Sequence, residues 1–86
     1  MEITLYSRDH CQPCKATVRK LKKHGLDFTE KNTSHDEAAR DFLISAGYTE
    51  APVVITSDGR EWTGFRPDLI EAIAKELEEE ANNAAS

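Results

Sequence analysis

The chain has 86 residues, of which 38 % are hydrophobic and 31 % charged, and this composition predicts one small globular domain. A net charge of −5 argues against a nucleic-acid-binding protein, whose surface would be basic. No apolar run approaches the roughly 20 residues that a membrane-spanning helix needs, and the N-terminus lacks a signal-peptide pattern. We therefore expect a cytoplasmic protein with no membrane partner.

The first half of the chain predicts two strands, each followed by a helix. Residues 2–6 and 26–32 alternate polar and apolar side chains, as half-buried strands do. Residues 11–24 have the apolar spacing of a helix. A capping box formed by Ser34 and Glu37 predicts the start of a second helix. The apolar residues that we expect this second helix to turn towards the core are Ala38, Phe42, Leu43 and Ala46.

The second half of the chain predicts a hairpin and a third helix. Residues 52–56, PVVIT, form a continuous apolar run that is typical of a strand covered on both faces. The Asp-Gly turn within residues 57–60 favours antiparallel pairing with a short strand at 61–63. The last helix begins at Pro67, a residue that suits the first helical turn.

These elements give the order β-α-β-α-β-β-α, which defines an α/β fold. Strands that alternate with helices predict a parallel βαβ unit, and the hairpin adds antiparallel strands. The expected sheet is therefore four-stranded, mixed and flanked by three helices. We assign the folded domain to residues 1–77 and expect residues 78–86, which are acidic and then small and polar, to form a flexible tail.

Cys11 and Cys14 are the only cysteines, and they lie three positions apart at a predicted strand-to-helix junction. A structural zinc site needs four ligands, but the chain offers one such pair and no histidines at ligand spacing. A structural disulfide would close too short a loop to stabilise the fold much, and the cytosol would reduce it. The pattern favours reversible dithiol–disulfide exchange, so we expect no metal and no other cofactor.

The predicted position of the cysteines also assigns their roles. Cys11 lies at or near the N-cap, where free N–H groups and the helix dipole stabilise a thiolate, so it is the expected nucleophile. Cys14 lies one turn deeper and resolves the mixed disulfide. A protonated His10 would favour the thiolate and Asp9 would oppose it, unless both are only solvated loop residues. Pro13 stiffens the loop.

Five basic residues follow the cysteines closely, whereas acidic residues gather near the C-terminus. Either this cluster steers an acidic partner towards the cysteine end of the molecule, or it is only a solvated helix face. The basic residues are Lys15, Arg19, Lys20, Lys22 and Lys23.

Two segments resemble the glutaredoxin/thioredoxin superfamily. Residues 2–14, EITLYSRDHCQPC, are similar to the first strand and active-site loop of a glutaredoxin, and residues 51–55, APVVI, to the segment that contains a cis-proline. The resemblance implies a thioredoxin-like fold, a cis Ala51–Pro52 bond beside the cysteines, and a substrate groove that includes Ala51. The alternative for Pro52 is an ordinary trans-proline that opens a strand.

Residues 62–70, WTGFRPDLI, resemble the W-S-G-F-R-P-D signature of NrdH-type redoxins, and the likeness extends over about residues 2–75. In that family the redoxin passes electrons from NADPH-dependent thioredoxin reductase to class Ib ribonucleotide reductase, and it generally does not use glutathione. The resemblance therefore implies a protein disulfide reductase with these two protein partners. We also expect a monomer.

Four residues match the signature loop, and the resemblance assigns them to partner binding: Trp62, Gly64, Phe65 and Arg66. Trp62 and Phe65 are either core residues, as composition alone would place them, or an exposed aromatic contact of the kind found at binding hot spots. Arg66 either joins that contact or pairs with an acidic residue and holds the loop.

Two departures from these families change what the resemblance implies. The redox loop is C-Q-P-C, with Gln12 and Pro13, whereas NrdH-type redoxins usually have C-V-Q-C, and we expect a reduction potential of roughly −200 to −270 mV. Glutaredoxins bind glutathione with a G-G or G-G-x-D loop, where this chain has GFRPD. Because Phe65 is larger and Pro67 has no N–H, tight glutathione binding is disfavoured.

Two alternative functions follow from the same residues. One is a glutathione-dependent glutaredoxin. The other, in a different class, is a non-catalytic module that binds a metal or an iron–sulfur cluster through Cys11 of two chains. Pro13 counts against this module, because cluster-binding glutaredoxins tend to have smaller, less rigid residues near the cysteines.

Overall fold

The computed structural model describes residues 1–85, with side chains as far as residue 80. The order β-α-β-α-β-β-α that the sequence predicts is confirmed. The elements are β1 (Ile3–Ser7), α1 (Gln12–Lys23), β2 (Thr29–Asn32), α2 (Glu37–Ser45), β3 (Val53–Thr56), β4 (Glu61–Thr63) and α3 (Pro67–Ala85).

The four strands form one mixed sheet with the spatial order β2-β1-β3-β4. β1 pairs in parallel with β2 and antiparallel with β3, and β3 pairs antiparallel with β4. This topology confirms both the βαβ unit and the hairpin, and it makes β1 and β3 the central strands. The loop after β1 therefore starts from the middle of one sheet edge, next to the end of β2.

Helices cover the two faces of the sheet unequally. Because successive side chains of a strand point to opposite faces, β3 contributes Val54 to one face and Val53 to the other, and both are fully buried. α1 and α3 pack on the Val54 face through Leu21, Ile70 and Ile73. α2 packs on the Val53 face, where the cluster is smaller. The continuous apolar run of β3 is explained by this double cover.

The second strand is shorter than the sequence predicts. The alternation from residue 26 onwards predicts a strand over 26–32, but β2 begins at Thr29, which is the partner of Thr4 in β1. Leu26 and Phe28 still pack against the larger core cluster from the loop that joins α1 to β2. These two residues are therefore apolar because they are buried in a loop, and not because they belong to a paired strand.

The start and the buried face of α2 also differ from the prediction. Asp36, not Ser34, is the N-cap, because its carboxylate accepts a hydrogen bond from the N–H of Ala39 at 3.0 Å. Ala39 and Leu43 are the buried residues of this helix. Phe42 is exposed, and its ring stacks on that of Tyr6 at the edge of the cluster. Ala38 and Ala46, which were also expected in the core, are exposed.

α3 begins at Pro67, as the sequence predicts, and continues through residues 78–85. That part of the expected tail is therefore helical, while its flexibility and the domain boundary at residue 77 stay predictions. Ser86 lies outside the described residues. None of the described helices combines the length and apolar character that a membrane span requires.

Candidate redox-active site

The two cysteines lie where the sequence predicts, at the junction of β1 and α1. Cys11 is the N-cap of α1, with extended backbone angles, and its carbonyl accepts the N–H of Lys15 at 3.2 Å. The Sγ atom of Cys11 accepts the N–H of Cys14 at 3.2 Å. A sulfur therefore takes the place that the oxygen of a serine or aspartate side chain usually has at a helix N-cap.

Cys11 and Cys14 form a disulfide bond, with their Cα atoms 5.3 Å apart. In this oxidised form the two residues are only 5 % and 3 % exposed. The N–H that donates to Cys11 lies at the positive end of the helix dipole, where a negative sulfur is stabilised. The pair can therefore carry two electrons in its dithiol form and give them up when the disulfide forms.

The residues between the cysteines are exposed and hold the first turn of α1. Pro13 lies in that turn, where an intrahelical N–H is not needed. Its carbonyl accepts the hydroxyl of Thr17, a fully buried residue, at 2.8 Å. Gln12 is the first helical residue and its side chain faces solvent. The loop is thus fixed through its backbone and through Thr17.

The backbone of His10 changes the direction of the chain just before α1 begins. Its φ is +58°, in the left-handed region, which histidine occupies more often than most residues other than glycine. The residue is exposed. Its position directly before Cys11 is as predicted, and its effect on the thiolate stays a prediction.

Asp9 is held by the loop that follows β2. Its carboxylate accepts the side-chain amide of Asn32 at 2.9 Å and lies 2.8 Å from the Nε2 atom of His35. Its backbone N–H donates to the hydroxyl of Ser34 at 3.0 Å. The hydrogen bond from Asn32, followed by the charge and hydrogen bond of His35, lowers the pKa of Asp9 below its ordinary value despite some desolvation. We call this set of contacts the Asp9 latch.

The sequence analysis did not predict the Asp9 latch. A signal was present, because the polar run of residues 32–35 begins at the last residue of β2 and the cysteine loop directly follows β1. The carboxyl ends of parallel neighbouring strands meet at the same edge of a sheet, so the two loops must lie together.

An open cleft of about 580 Å³ lies beside the disulfide, bounded by α1 on one side and by the end of β2 on the other. Glu30 lines it and accepts a hydrogen bond from the buried hydroxyl of Ser7 at 2.7 Å. Cations also line it, namely Arg8, Lys15 and Arg19. Sequence reasoning identified neither Arg8 nor Glu30 as part of the site.

The peptide bond between Ala51 and Pro52 is cis, as the resemblance implies. Pro52 is buried and directly precedes β3. The last described pair of the β1–β3 register joins Tyr6 to Val53, so Pro52 lies at the sheet edge from which the cysteine loop leaves. Its carbonyl accepts the N–H of Gly64 at 2.9 Å. Ala51 is partly exposed before it.

The signature loop divides into buried and exposed residues. Trp62 is 7 % exposed and packs in the larger core cluster, so of its two predicted places it takes the one in the core, and its role in partner binding stays a prediction. Its position in β4 opposite Val54 turns the ring to the face that α1 and α3 cover. Phe65 is 38 % exposed beside α1. Gly64 has a φ of +80°, which a residue with a side chain rarely adopts.

Arg66 pairs with Asp68 in the first turn of α3. Its Nε and Nη2 atoms donate to the two carboxylate oxygens at 3.2 and 3.1 Å. These hydrogen bonds are the first cause of the lowered pKa of Asp68. The partner of Arg66 that the sequence left open is therefore two residues away, and the ion pair holds the loop where it enters α3.

Within the part of the chain whose side chains are described, no three His, Cys, Asp or Glu residues lie close enough together to hold a metal ion.

Comparison with known proteins places this site in a family. The glutaredoxin family model matches residues 3–62. Glutaredoxin-like protein NrdH of Escherichia coli is 41 % identical over 70 residues, which are 81 % of this chain and 85 % of that protein. The chain belongs to the NrdH-type redoxins of the glutaredoxin family. NrdH of Lactococcus lactis is 33 % identical over 72 residues, which are 84 % of this chain and 99 % of that protein.

The solved structure of NrdH-redoxin from Escherichia coli agrees with this assignment. It superposes with a TM-score of 0.78 at 40 % identity, covering 84 % of this redoxin and 93 % of that chain. The thioredoxin-like fold that the sequence predicts is thereby confirmed. With the family and the Cys11–Cys14 pair together, this NrdH-type redoxin is a thiol–disulfide oxidoreductase.

Proposed function

We propose that this redoxin is the dithiol electron donor to a class Ib ribonucleotide reductase in the cytoplasm, and that thioredoxin reductase re-reduces it. The observation that carries the proposal is the Cys11–Cys14 disulfide at the N-terminus of α1, open to a cleft. The choice of partners is supported by the relative from Escherichia coli, whose structure is described as the basis of a thioredoxin-like activity profile.

The exchange proceeds in two displacements. The thiolate of reduced Cys11 attacks one sulfur of the client disulfide, that bond breaks, and the leaving thiolate takes up a proton. Cys14 then loses its proton and attacks the Cys11 sulfur of the mixed disulfide. The second client thiol leaves, and the Cys11–Cys14 disulfide forms. The client gains two electrons and two protons. The redoxin recovers the electrons and one proton from NADPH through the reductase, and the second proton from solvent.

Residues of two segments outside the cleft lining position the client in this proposal. Ala51, before the cis-proline, is partly exposed and offers backbone groups that an extended client segment can pair with. Phe65 and the Arg66–Asp68 pair present the signature loop to the partner. Trp62 supports that loop from the core.

We expect glutathione to reduce this redoxin poorly. The place where glutaredoxins have small residues is occupied by Phe65, which protrudes at the surface. Pro67 begins α3 and has no N–H to donate to a glutamyl carboxylate.

The test supplies the oxidised redoxin with NADPH and thioredoxin reductase, or with NADPH, glutathione and glutathione reductase, and follows NADPH oxidation. We expect rapid reduction in the first system and slow reduction in the second. The matched control is Cys11→Ser, which should remove NADPH oxidation in both systems. Rapid turnover in the glutathione system alone would overturn the proposal in favour of a glutaredoxin.

A further inference from the structure

A row of cations runs along α1 from the cysteine cleft to Phe65. Lys15, Arg19 and Lys23 are four residues apart, so they lie on one side of the helix, about 6 Å from one to the next along its axis. Like charges at this spacing repel each other and destabilise a helix. We call these three residues the cation row.

The cation row connects two hollows in the surface. Lys15 and Arg19 line the cleft beside the disulfide, together with Arg8. Arg19 and Lys23 also line a second groove of about 260 Å³, whose apolar lining is Ala16 and Phe65. Because Arg19 belongs to both, the cleft and the groove form one continuous surface that begins at the reacting sulfurs.

Cations outnumber carboxylates on this surface. Its two carboxylates, Asp9 and Glu30, accept hydrogen bonds from the neutral side chains of Asn32 and Ser7, which leave their negative charges in place. They lie among four cations, namely Arg8, Lys15, Arg19 and Lys23. Lys20, which also lines the groove, pairs with Glu71 of α3 at 2.8 Å, and this hydrogen bond, together with the charge of Lys23, lowers the pKa of Glu71. Among the side chains described through residue 80, the ion pairs include no member of the cation row.

The remainder of the molecule carries the opposite charge. The net charge is −5, so a cationic surface is a local reversal. An acidic partner is repelled by most of the redoxin and attracted by this face, which orients the encounter towards the sulfurs.

We propose that the cation row and the groove beside Phe65 dock an acidic polypeptide segment next to the disulfide that the redoxin reduces. The inference deepens the proposed function and rests on it. The row spans about 12 Å, and alternate residues of an extended strand are about 6.6 Å apart, so carboxylates at every second position match the cations. An apolar side chain of the segment then contacts Phe65, which lies in the groove with Arg19 and Lys23.

Binding is tested on the oxidised, full-length redoxin by amide chemical-shift titration. The probe is a cysteine-free peptide with three glutamates at alternate positions followed by leucine, and its control has glutamine in their place. We expect shifts at residues 15–23 and 65 with the glutamate peptide, reduced by salt, and little change with the glutamine peptide. Equal binding of both peptides would overturn the proposal.

The variants Arg19→Gln and Lys22→Gln separate a local site from net charge. Both remove one cation from α1, but Lys22 is exposed and lines neither hollow. Arg19→Gln should weaken binding of the glutamate peptide about two- to fivefold, the range expected for the loss of one exposed ion pair. Lys22→Gln should weaken it much less. An equal loss in both variants would reduce the effect to net charge and contradict the proposal.

Reduction kinetics then connect docking to exchange. The same peptides, extended by a cyclic disulfide, are mixed with the reduced redoxin and quenched with acid. The glutamate peptide should be reduced faster, and only its rate should depend on Arg19. Binding without any reduction would leave the docking surface standing and refute the proposed function. If glutathione disulfide alone showed the Arg19 dependence, the surface would recognise a small anion and the proposal would fail.

Discussion

At the scale of single residues, Cys11 has two tasks that depend on one hydrogen bond. Its Sγ atom accepts the N–H of Cys14, which satisfies one of the free donors of the first turn of α1. The same donor lies where a thiolate would carry its charge. Capping of the helix and activation of the nucleophile are therefore not separable at this residue.

The different roles of the two cysteines give a first prediction. Cys14→Ser removes the resolving thiol, so a client that Cys11 attacks stays attached as a mixed disulfide. Intact-mass measurement after reaction with a thionitrobenzoate disulfide should show a stable adduct on Cys14→Ser and none on Cys11→Ser. Multiple turnovers by Cys14→Ser at the rate of the natural chain would contradict the assignment.

The Asp9 latch predicts a pH-dependent stability. Because its pKa is lowered in the folded protein, Asp9 stabilises the fold above its ordinary pKa, and this contribution is lost as the pH falls through the folded value. The natural chain should therefore be more stable than Asp9→Asn at about pH 5, and the difference should be smaller at about pH 2, below the ordinary pKa of aspartate. Urea unfolding midpoints measure it.

The control for this comparison is Asp41→Asn, a change to an exposed residue of α2 that also removes one carboxylate. Its difference from the natural chain should stay small throughout. A difference for Asp9→Asn that is the same at both pH values would show that the latch does not depend on the charge of Asp9.

At the scale of elements, the loop between β4 and α3 depends on the backbone of Gly64. A Cβ atom would meet nothing within 4 Å there, so the effect of a substitution comes from the φ of +80° and not from a clash. Gly64→Ala should lower the free energy of unfolding by about 1–2 kcal/mol, and Gly64→Asn by less, since asparagine tolerates this region better. Chemical denaturation of the natural chain and the two variants measures these differences. Equal stabilities of all three would contradict the prediction and show that the loop relaxes around the new side chain.

Local signals were sufficient for most elements. The continuous run of β3, the Asp-Gly turn and Pro67 each predict a feature that the structure has, because burial on two faces, turn geometry and helix starts are decided within a few residues. The face of α2 was not predicted correctly. Its sequence offers Phe42 and Leu43 with similar apolar character, and only packing against Tyr6 and Val53 decides that Leu43 is buried.

The site was predictable to the extent that it is local in sequence. Cys11 and Cys14 follow from their spacing and position, and the cis bond at Pro52 follows from the family resemblance. The Asp9 latch and the Ser7–Glu30 hydrogen bond join residues more than 20 positions apart, so they depend on strand pairing that the sequence does not show directly.

At the scale of the whole molecule, the sheet brings three segments of the chain to one edge. The cysteine loop leaves β1, the latch loop leaves β2, and the cis-proline precedes β3, all at the same end of neighbouring strands. We therefore expect a client at the sulfurs to contact these segments. The cation row extends this surface along α1 towards Phe65.

The central claim is that the redoxin supplies electrons to class Ib ribonucleotide reductase. The most direct measurement combines purified reductase of that class with the redoxin, thioredoxin reductase and NADPH, and quantifies deoxyribonucleotide formed against NADPH consumed. We predict equal amounts of the two, with no product when Cys11→Ser replaces the natural chain. NADPH consumption that reduces the redoxin but yields no deoxyribonucleotide would contradict the claim.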